Sequence, residues 1–267
     1  MKDQLLTAAA PAAGTRALRT ERVSKRFGGI VAVDAVSVSV EAGTIVGLIG
    51  PNGAGKTTLF DMLAGDQAPT AGEIQIGGRA AHDSPAHERL SLGLGRTFQI
   101  PRPFPELSLI DNVMLGLQGH AGEKILPNWF ASRRVQAAER AAMTRARELL
   151  DFVSLAALSD QPARVLSGGQ RKLLEIARVL MAEPSVVLLD EPAAGVHPRL
   201  LEVIATRVAT LNARGMTFLI IEHNMDLITS LCSRLLVMAE GRLLCQGTPA
   251  AVMSDPRVVE AYLGASI

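Results

Sequence analysis

Eight consecutive residues, Gly50-Pro51-Asn52-Gly53-Ala54-Gly55-Lys56-Thr57, set their glycines, lysine and hydroxyl at the spacing G-x-x-x-x-G-K-[ST] of a phosphate-cradling loop. The chemistry requires each residue type. The glycines let the backbone curl until its N–H groups converge on anionic oxygens, and a helix beginning behind the loop adds the positive end of its dipole. Lys56 would reach the β and γ phosphates of a nucleoside triphosphate. Thr57 would offer its hydroxyl to Mg²⁺, a hard cation that takes few protein oxygens and shares the phosphates as ligands. Thr58 follows in the same turn. The neighbours supply the expected setting: Thr44 to Ile49 is apolar enough for a buried parallel strand, and Lys56 to Leu63 reads as a helix opening. A glycine turn before an ordinary helix is the plain alternative, and the full match in this setting weighs against it.

A phosphate loop needs carboxylates on a second strand. Val186-Val187-Leu188-Leu189-Asp190-Glu191 resembles such a Walker B strand: four apolar residues to bury it, then Asp190 at its carboxyl end, where ligands of open α/β sheets collect. Asp190 can hold Mg²⁺ directly or through water. The period of a strand turns Glu191 to the opposite side, placed to polarise a water for attack on the γ-phosphate. Without the loop upstream, an ordinary core strand ending in surface acids would be an equal reading.

About twenty residues before that strand stands Leu166-Ser167-Gly168-Gly169-Gln170. Chemically it is another helix start, with Ser167 as N-cap, two glycines open to close approach, and Gln170 to Met181 as the helix. It matches the signature motif of ATP-binding cassette ATPases, and the chain resembles that family. The resemblance implies that the signature of one subunit (Ser167, Gly168, Gly169, Gln170) closes over the γ-phosphate held by the phosphate loop of another, with two ATP molecules sandwiched in a head-to-tail dimer. Further motifs fall in the family's order. Phe27 in Lys-Arg-Phe-Gly-Gly is similar to the aromatic that stacks on adenine, Gln99 in Arg-Thr-Phe-Gln to the Q-loop glutamine that contacts Mg²⁺ and the attacking water, and Ala193 to Val196 to the D-loop. His223, 32 residues after Glu191, is similar to the histidine that senses the γ-phosphate. On residues alone, the alternatives are a core aromatic for Phe27, a solvated amide for Gln99 and a structural histidine at a strand end for His223. His82, His87 and His120 have no such setting and read as surface residues.

Ala193-Ala194-Gly195-Val196 departs from the family's commonest Ser-Ala-Leu-Asp form and lacks its aspartate. The same stretch is similar to one branch, the ATP-binding subunits of branched-chain amino acid importers. Resemblance to that branch continues through Gly95-Arg96-Thr97-Phe98-Gln99, Asp111-Asn112-Val113, Ile221-Glu222-His223-Asn224-Met225-Asp226 and Ala261-Tyr262-Leu263-Gly264, covering most of the chain. It implies an ATPase at the cytoplasmic face of the inner or plasma membrane, bound to separate permease subunits and to a second ATPase subunit. A solute-binding protein would be an indirect partner. A lipid or lipopolysaccharide exporter ATPase would share every nucleotide motif, and a non-transport cassette protein is the alternative of another class.

Composition agrees. The 267 residues are 48% hydrophobic and carry a formal net charge of +1, enough for a core and too neutral for nucleic acid as the main partner. Aromatics are 3%, leaving the packing to aliphatics and alanine. No apolar run reaches the ~20 residues that cross a bilayer. Cys232 and Cys245 lack metal-ligand spacing and are expected reduced and buried. The expected architecture is α/β, a P-loop NTPase core of the cassette type with an antiparallel β subdomain and an inserted α-helical subdomain. Residues 1–18 read as a mobile alanine-rich tail and 19–267 as one ATPase domain, with the helical subdomain at about 100–164. The spacing predicts paired strands over Ala17 to Val40, a strand over Gly72 to Gly77, a helix over Arg134 to Val153, another over Pro198 to Asn212, a strand over Thr217 to Ile221 and a hairpin turning at Glu240-Gly241. By resemblance, Pro105, Leu107, Leu109 and Val113 line a groove for a permease helix; packing inside the subdomain is the equal alternative. Trp129-Phe130 marks an insertion.

Overall fold

Strands that are buried at every position, rather than at alternate ones, belong in a sheet covered on both faces. Three such strands occur among the described residues: β4 (Ile45–Ile49), β8 (Val186–Asp190) and β9 (Thr217–Ile221), every residue of each buried. In the computed structural model, which describes residues 16–97, 99, 101–118 and 132–264, they form the centre of a six-stranded sheet. Its order is β11-β10-β4-β9-β8-β7, with β7 at Leu94–Arg96, β10 at Arg234–Ala239 and β11 at Arg242–Gly247. All neighbours are parallel except the β10–β11 hairpin, which turns at Glu240-Gly241 as expected.

The antiparallel sheet is built around the 12-residue β1 (Arg16–Phe27), paired with β2 (Ile30–Val36), β3 (Ser39–Glu41) and β5 (Ala71–Ile76), with β6 (Arg79–Ala80) beyond β5. Because β1 begins at Arg16, residues 16–18 are strand and not tail; residues 1–15, His120 and Trp129-Phe130 lie outside the described residues. One core joins this sheet to helix α1 (Lys56–Ala64) and to one face of the parallel sheet, through Leu18, Val36, Ile74, Leu59, Phe60, Leu48, Leu188 and Leu219. The C-terminal end of α1 is held by Arg89 of α2 (Ala86–Ser91), only 1% exposed. Its guanidinium donates to the carbonyls of Met62 and Leu63, groups that the helix end leaves without intrahelical partners, and to that of Ser84 in the loop before α2. Burial pushes the Arg89 pKa down and the charge of Asp66 pulls against it.

A second compact unit comprises Thr97–Glu183 with Ala194–Arg207. It holds α3 (Leu109–Met114), α4 (Ser132–Phe152) and α5 (Gly168–Met181), and it receives the start of α6 (Pro198–Ala213). It runs past residue 164 because Leu173, Leu174 and Ala177 of α5 are buried and α5 packs on α3 and α4. Leu109 and Val113 are 0% exposed, so they are core of this unit and cannot line a surface groove; Pro105 and Leu107 are exposed. Asn112, also fully buried, explains its place in the Asp-Asn-Val stretch. Its side chain accepts from Phe104 N–H and donates to the carbonyls of Phe104, Leu107 and Ser108, tying the preceding loop to α3.

The chain ends in α7 (Met225–Leu231), β10, β11, α8 (Pro249–Met253) and α9 (Pro256–Gly264). Among the described residues no helix is long and apolar enough to cross a membrane. Only one of the two cysteines is buried: Cys232 lies inside and Cys245 is half-exposed on β11. Burial pushes the Cys232 thiol up to about 12. The thiolate is the reactive form, so at pH 8 Ellman's reagent should titrate a single thiol, Cys245, in the native protein and both after unfolding in guanidinium; two thiols reactive before unfolding would contradict this packing.

Candidate active site

Because β4, β9 and β8 are parallel neighbours, everything that follows them emerges at one edge of the sheet. The loop Gly50 to Gly55 follows β4, Glu191 follows β8, and Glu222-His223 follow β9. Two of the glycines are obligatory. Gly50 (φ 149°) and Gly55 (φ 93°) have positive φ, and a Cβ on them would fall 2.1 Å from the Met238 carbonyl oxygen and 2.4 Å from that of Ala32. Gly55 is also the N-cap of α1, and no side chain caps that end. The contrast is α5, where Ser167 and Gln170 form a reciprocal capping box at 3.3 and 2.9 Å. The first N–H groups of α1 are therefore left for an external anion.

Lys56 is 6% exposed, and its ammonium donates to the carbonyls of Gly50 and Pro51, both at 2.8 Å, folding the loop onto itself. Burial lowers its pKa while Glu191 and Asp190 pull it back up. Around it lies a cavity of about 210 Å³ lined by Ala32, the loop residues Asn52 to Thr58, Glu191 and His223. One ammonium, several backbone N–H groups and two threonine hydroxyls face a space that suits an anion with several oxygens.

Asp190, 5% exposed, is the last residue of β8. Burial raises its pKa, and Arg96, whose Nη2 donates to Oδ2 at 3.1 Å, works against that rise. The same guanidinium holds Asp61 of α1 at 2.7 Å and Asp66 at 2.8 Å. Burial alone would lower the Arg96 pKa, but Asp61 and Asp190 hold it above its ordinary value. Arg96 thus ties the helix behind the phosphate loop to the acidic strand. The sequence displayed it only as part of a family stretch, with no sign of its three partners.

Glu191 does not follow the alternation expected of a strand. The strand ends at Asp190, and Glu191 turns into the left-handed region (φ 46°), a conformation that costs a non-glycine residue roughly 1–3 kcal/mol. Its N–H donates to the Ile221 carbonyl at 2.9 Å, and its Oε1 lies 3.3 Å from His223 Nε2. Next to His223 in the chain is Glu222, 3% exposed, whose carboxylate accepts from the N–H groups of Ala193, His223 and Asn224. Sequence reading passed over Glu222, although the signal was there. An apolar run ending in an acid, Thr217 to Glu222, repeats the pattern that singled out Asp190.

The structure therefore gathers Lys56, Thr57, Thr58, Glu191 and His223 on one cavity, with Gly50 and Pro51 bonded to Lys56 beneath it. Phe27 is not in that lining. It ends β1, is 47% exposed, and has the Lys25 ammonium 5.2 Å from its ring centroid. Gln99, which is exposed, and Ser167, Gly168, Gly169 and Gln170 belong to the helical unit. Asp190, bonded to Arg96, is not in that lining either; the Thr57 hydroxyl and the Asp190 carboxylate are each oxygen donors of the kind a hard cation takes. Among the described residues no group of three or more His, Cys, Asp or Glu could hold a metal alone, so phosphate oxygens and water would complete its shell.

Comparison with known proteins gives this geometry its setting. The family model described as ABC transporter matches residues 33–194, and a second, described as branched-chain amino acid ATP-binding cassette transporter, matches residues 242–266. The chain is 38% identical over 248 residues to the probable branched-chain amino acid transport ATP-binding protein LivG of Archaeoglobus fulgidus, covering 93% of this chain and 95% of that one. It is 37% identical over 248 residues to the high-affinity branched-chain amino acid transport ATP-binding protein BraF of Pseudomonas aeruginosa, covering 92% and 97%. Among solved structures, a nucleotide-free ATP-binding cassette from an ABC transporter superposes with a TM-score of 0.81 at 37% identity, covering 92% of this chain and 98% of that one. The ADP conformation of MJ1267, an ATP-binding cassette of an ABC transporter, gives 0.79 at 37% identity, covering 93% and 99%. With a family model spanning more than half its length and relatives over a third identical along nearly all of it, this chain belongs to the ATP-binding cassette transporter family, among its ATP-hydrolysing subunits.

Proposed function

We propose that this ATPase powers the import of branched-chain or related amino acids through separate permease subunits. The observation that carries the chemical half of this reading is the convergence of Lys56, Thr57, Glu191 and His223 on one cavity. The transport half is supported by the branched-chain family match at residues 242–266 and by the names of relatives matched along nearly the whole chain.

In this reading the loop Gly50 to Thr58 wraps the triphosphate of ATP, its N–H groups and Lys56 taking the β and γ oxygens. Bound Mg²⁺ would neutralise phosphate charge, held by Thr57 and Asp190 and approached by Gln99. Glu191 orients and deprotonates the attacking water as the γ-phosphate leaves. His223, against Glu191, donates to a γ-phosphate oxygen. Phe27, exposed at the end of β1, stacks on the adenine. Ser167 to Gln170 complete the site of a second ATPase subunit across a dimer. Because ATP bridges two subunits only when they are closed, its binding favours the closed state and hydrolysis releases it. Work on the solute is therefore coupled to differential affinity rather than to one contact. The exposed Phe104, Pro105 and Leu107 of the helical unit offer apolar surface to a permease helix, and the ATPase would sit peripherally on the cytoplasmic face of the membrane.

Three outcomes test the reading. Lys56→Ala should weaken ATP binding roughly 10- to 100-fold, the worth of a lost charge-assisted bond, measured by titration with a fluorescent ATP analogue; unchanged affinity would remove Lys56 from the phosphates. Glu191→Gln should leave that affinity nearly intact and lower turnover by about 100-fold or more; undiminished phosphate release would sink its role as base. Mild solubilisation of the tagged protein from its own membranes should recover two hydrophobic permeases and a second ATPase. Recovery with lipid-export components, or with ribosomes, would overturn amino acid import while leaving the ATPase chemistry intact.

A further inference from the structure

Glu222 is a charged residue that is 3% exposed, and among the described residues its bonds come from backbone N–H groups. A buried carboxylate is costly unless it is fully hydrogen-bonded, so the identity of its donors says what it is for. One oxygen, Oε1, accepts from the Ala193 N–H at 2.6 Å. The other, Oε2, accepts from the His223 N–H at 2.7 Å and the Asn224 N–H at 2.9 Å. Ala193 lies two residues beyond Glu191, and His223 is the residue that Glu191 meets at 3.3 Å. The carboxylate therefore holds the chain just after one member of the Glu191–His223 pair and the backbone of the other.

Glu191 has particular need of such a hold. It adopts a left-handed conformation at φ 46°, which persists only where the surroundings over-determine it. On its own residue the determinant is the bond from its N–H to the Ile221 carbonyl, 2.9 Å, and two residues later it is the bond from Ala193 to Glu222. On the other loop, Asn224 passes directly into α7, its side chain accepting from Leu227 N–H at 2.9 Å, so the segment held by Oε2 is anchored at its far end as well. The residues 191, 193, 222 and 223 form a closed ring of contacts, with the Glu222 carboxylate bonded to the backbone of both loops.

We propose that Glu222 is a positioning residue for ATP hydrolysis: its carboxylate fixes Glu191 and His223 in one register relative to the γ-phosphate. The proposal rests on the reading that Glu191 and His223 act there. Its chemical signature is the need for two acceptor oxygens. Glutamine matches glutamate in shape but must aim its NH₂ at either Ala193 N–H or the His223 and Asn224 pair, setting donor against donor on one loop. Aspartate keeps the charge but is one methylene short, so it cannot span both loops.

In the full-length chain, E222Q should stay folded and bind a fluorescent ATP analogue within about threefold of the parent, since no phosphate-loop residue is disturbed. Its kcat per binding site should fall roughly tenfold or more with KM little changed, as expected when reacting groups lose alignment by a fraction of an ångström. Combined with Glu191→Gln it should cost little further in single-turnover hydrolysis of labelled ATP, because the two act through one step. Should E222Q fail to fold, E222D carries the same expectation. A folded E222Q or E222D turning over within twofold of the parent, or losses that multiply in the double variant, would overturn the proposal. If Glu191→Gln alone hydrolyses ATP like the parent, it is the reading of the site that fails, and not the placement of Glu222.

Discussion

The parallel pairing of β4, β9 and β8 is the constraint on which the rest depends. Val46 lies beside Leu219, and Asp190 beside Ile221, so the glycine loop, Glu191 and His223 leave the sheet within a residue or two of a common line. A slip of one residue in either pairing would carry every side chain of that strand to the opposite face. In a sheet buried on both sides such a slip has no cheap compensation. Register here is set by burial of the apolar runs, and the geometry at the edge inherits its accuracy.

That edge also gathers what a buried sheet least tolerates. Lys56, Arg96, Asp190 and Glu222 all carry or can carry charge with little exposure, and each is satisfied in a different way: backbone carbonyls for Lys56, three carboxylates for Arg96, a guanidinium for Asp190, backbone N–H groups for Glu222. Removing one partner would leave another buried and uncompensated, which costs far more than the pair itself is worth. Arg96 and Arg89 act on opposite ends of this problem. The first ties α1 to Asp190, and the second fills the carbonyls at the end of α1. The helix behind the glycine loop is thus held by two arginines, at Asp61 and at its last carbonyls.

How much of this was legible in the sequence depended on whether the information was local. The phosphate loop, the acidic strand, the capped signature helix and the β10–β11 turn are short patterns in which neighbours dictate conformation, and they stand where expected. The left-handed turn at Glu191 was not legible, because strand alternation carries no sign of the bond that its N–H donates to the carbonyl of Ile221, thirty positions away. For Leu109 and Val113 a surface groove and a packed core stood as equal readings, because apolar residues at such positions read alike whether they face a partner or a core. Arg96 and Glu222 were visible as letters but not as contacts. Their roles exist only once residues far apart in sequence are brought together.

The bonds of Lys56 bear on how the site responds to nucleotide. Its ammonium is engaged by Gly50 and Pro51, so phosphate oxygens do not meet a bare charge. They add to or replace bonds already made, and the gain is the difference between phosphate and carbonyl as acceptors. Burial lowers the lysine pKa while Glu191 and Asp190 raise it, so the carboxylates that would handle water and metal also help to keep the lysine charged. A triphosphate brings negative charge of its own, favouring the ammonium and opposing both carboxylates. A divalent cation bound with the triphosphate would offset that repulsion, and so ATP and such a cation are expected to bind cooperatively through charge balance.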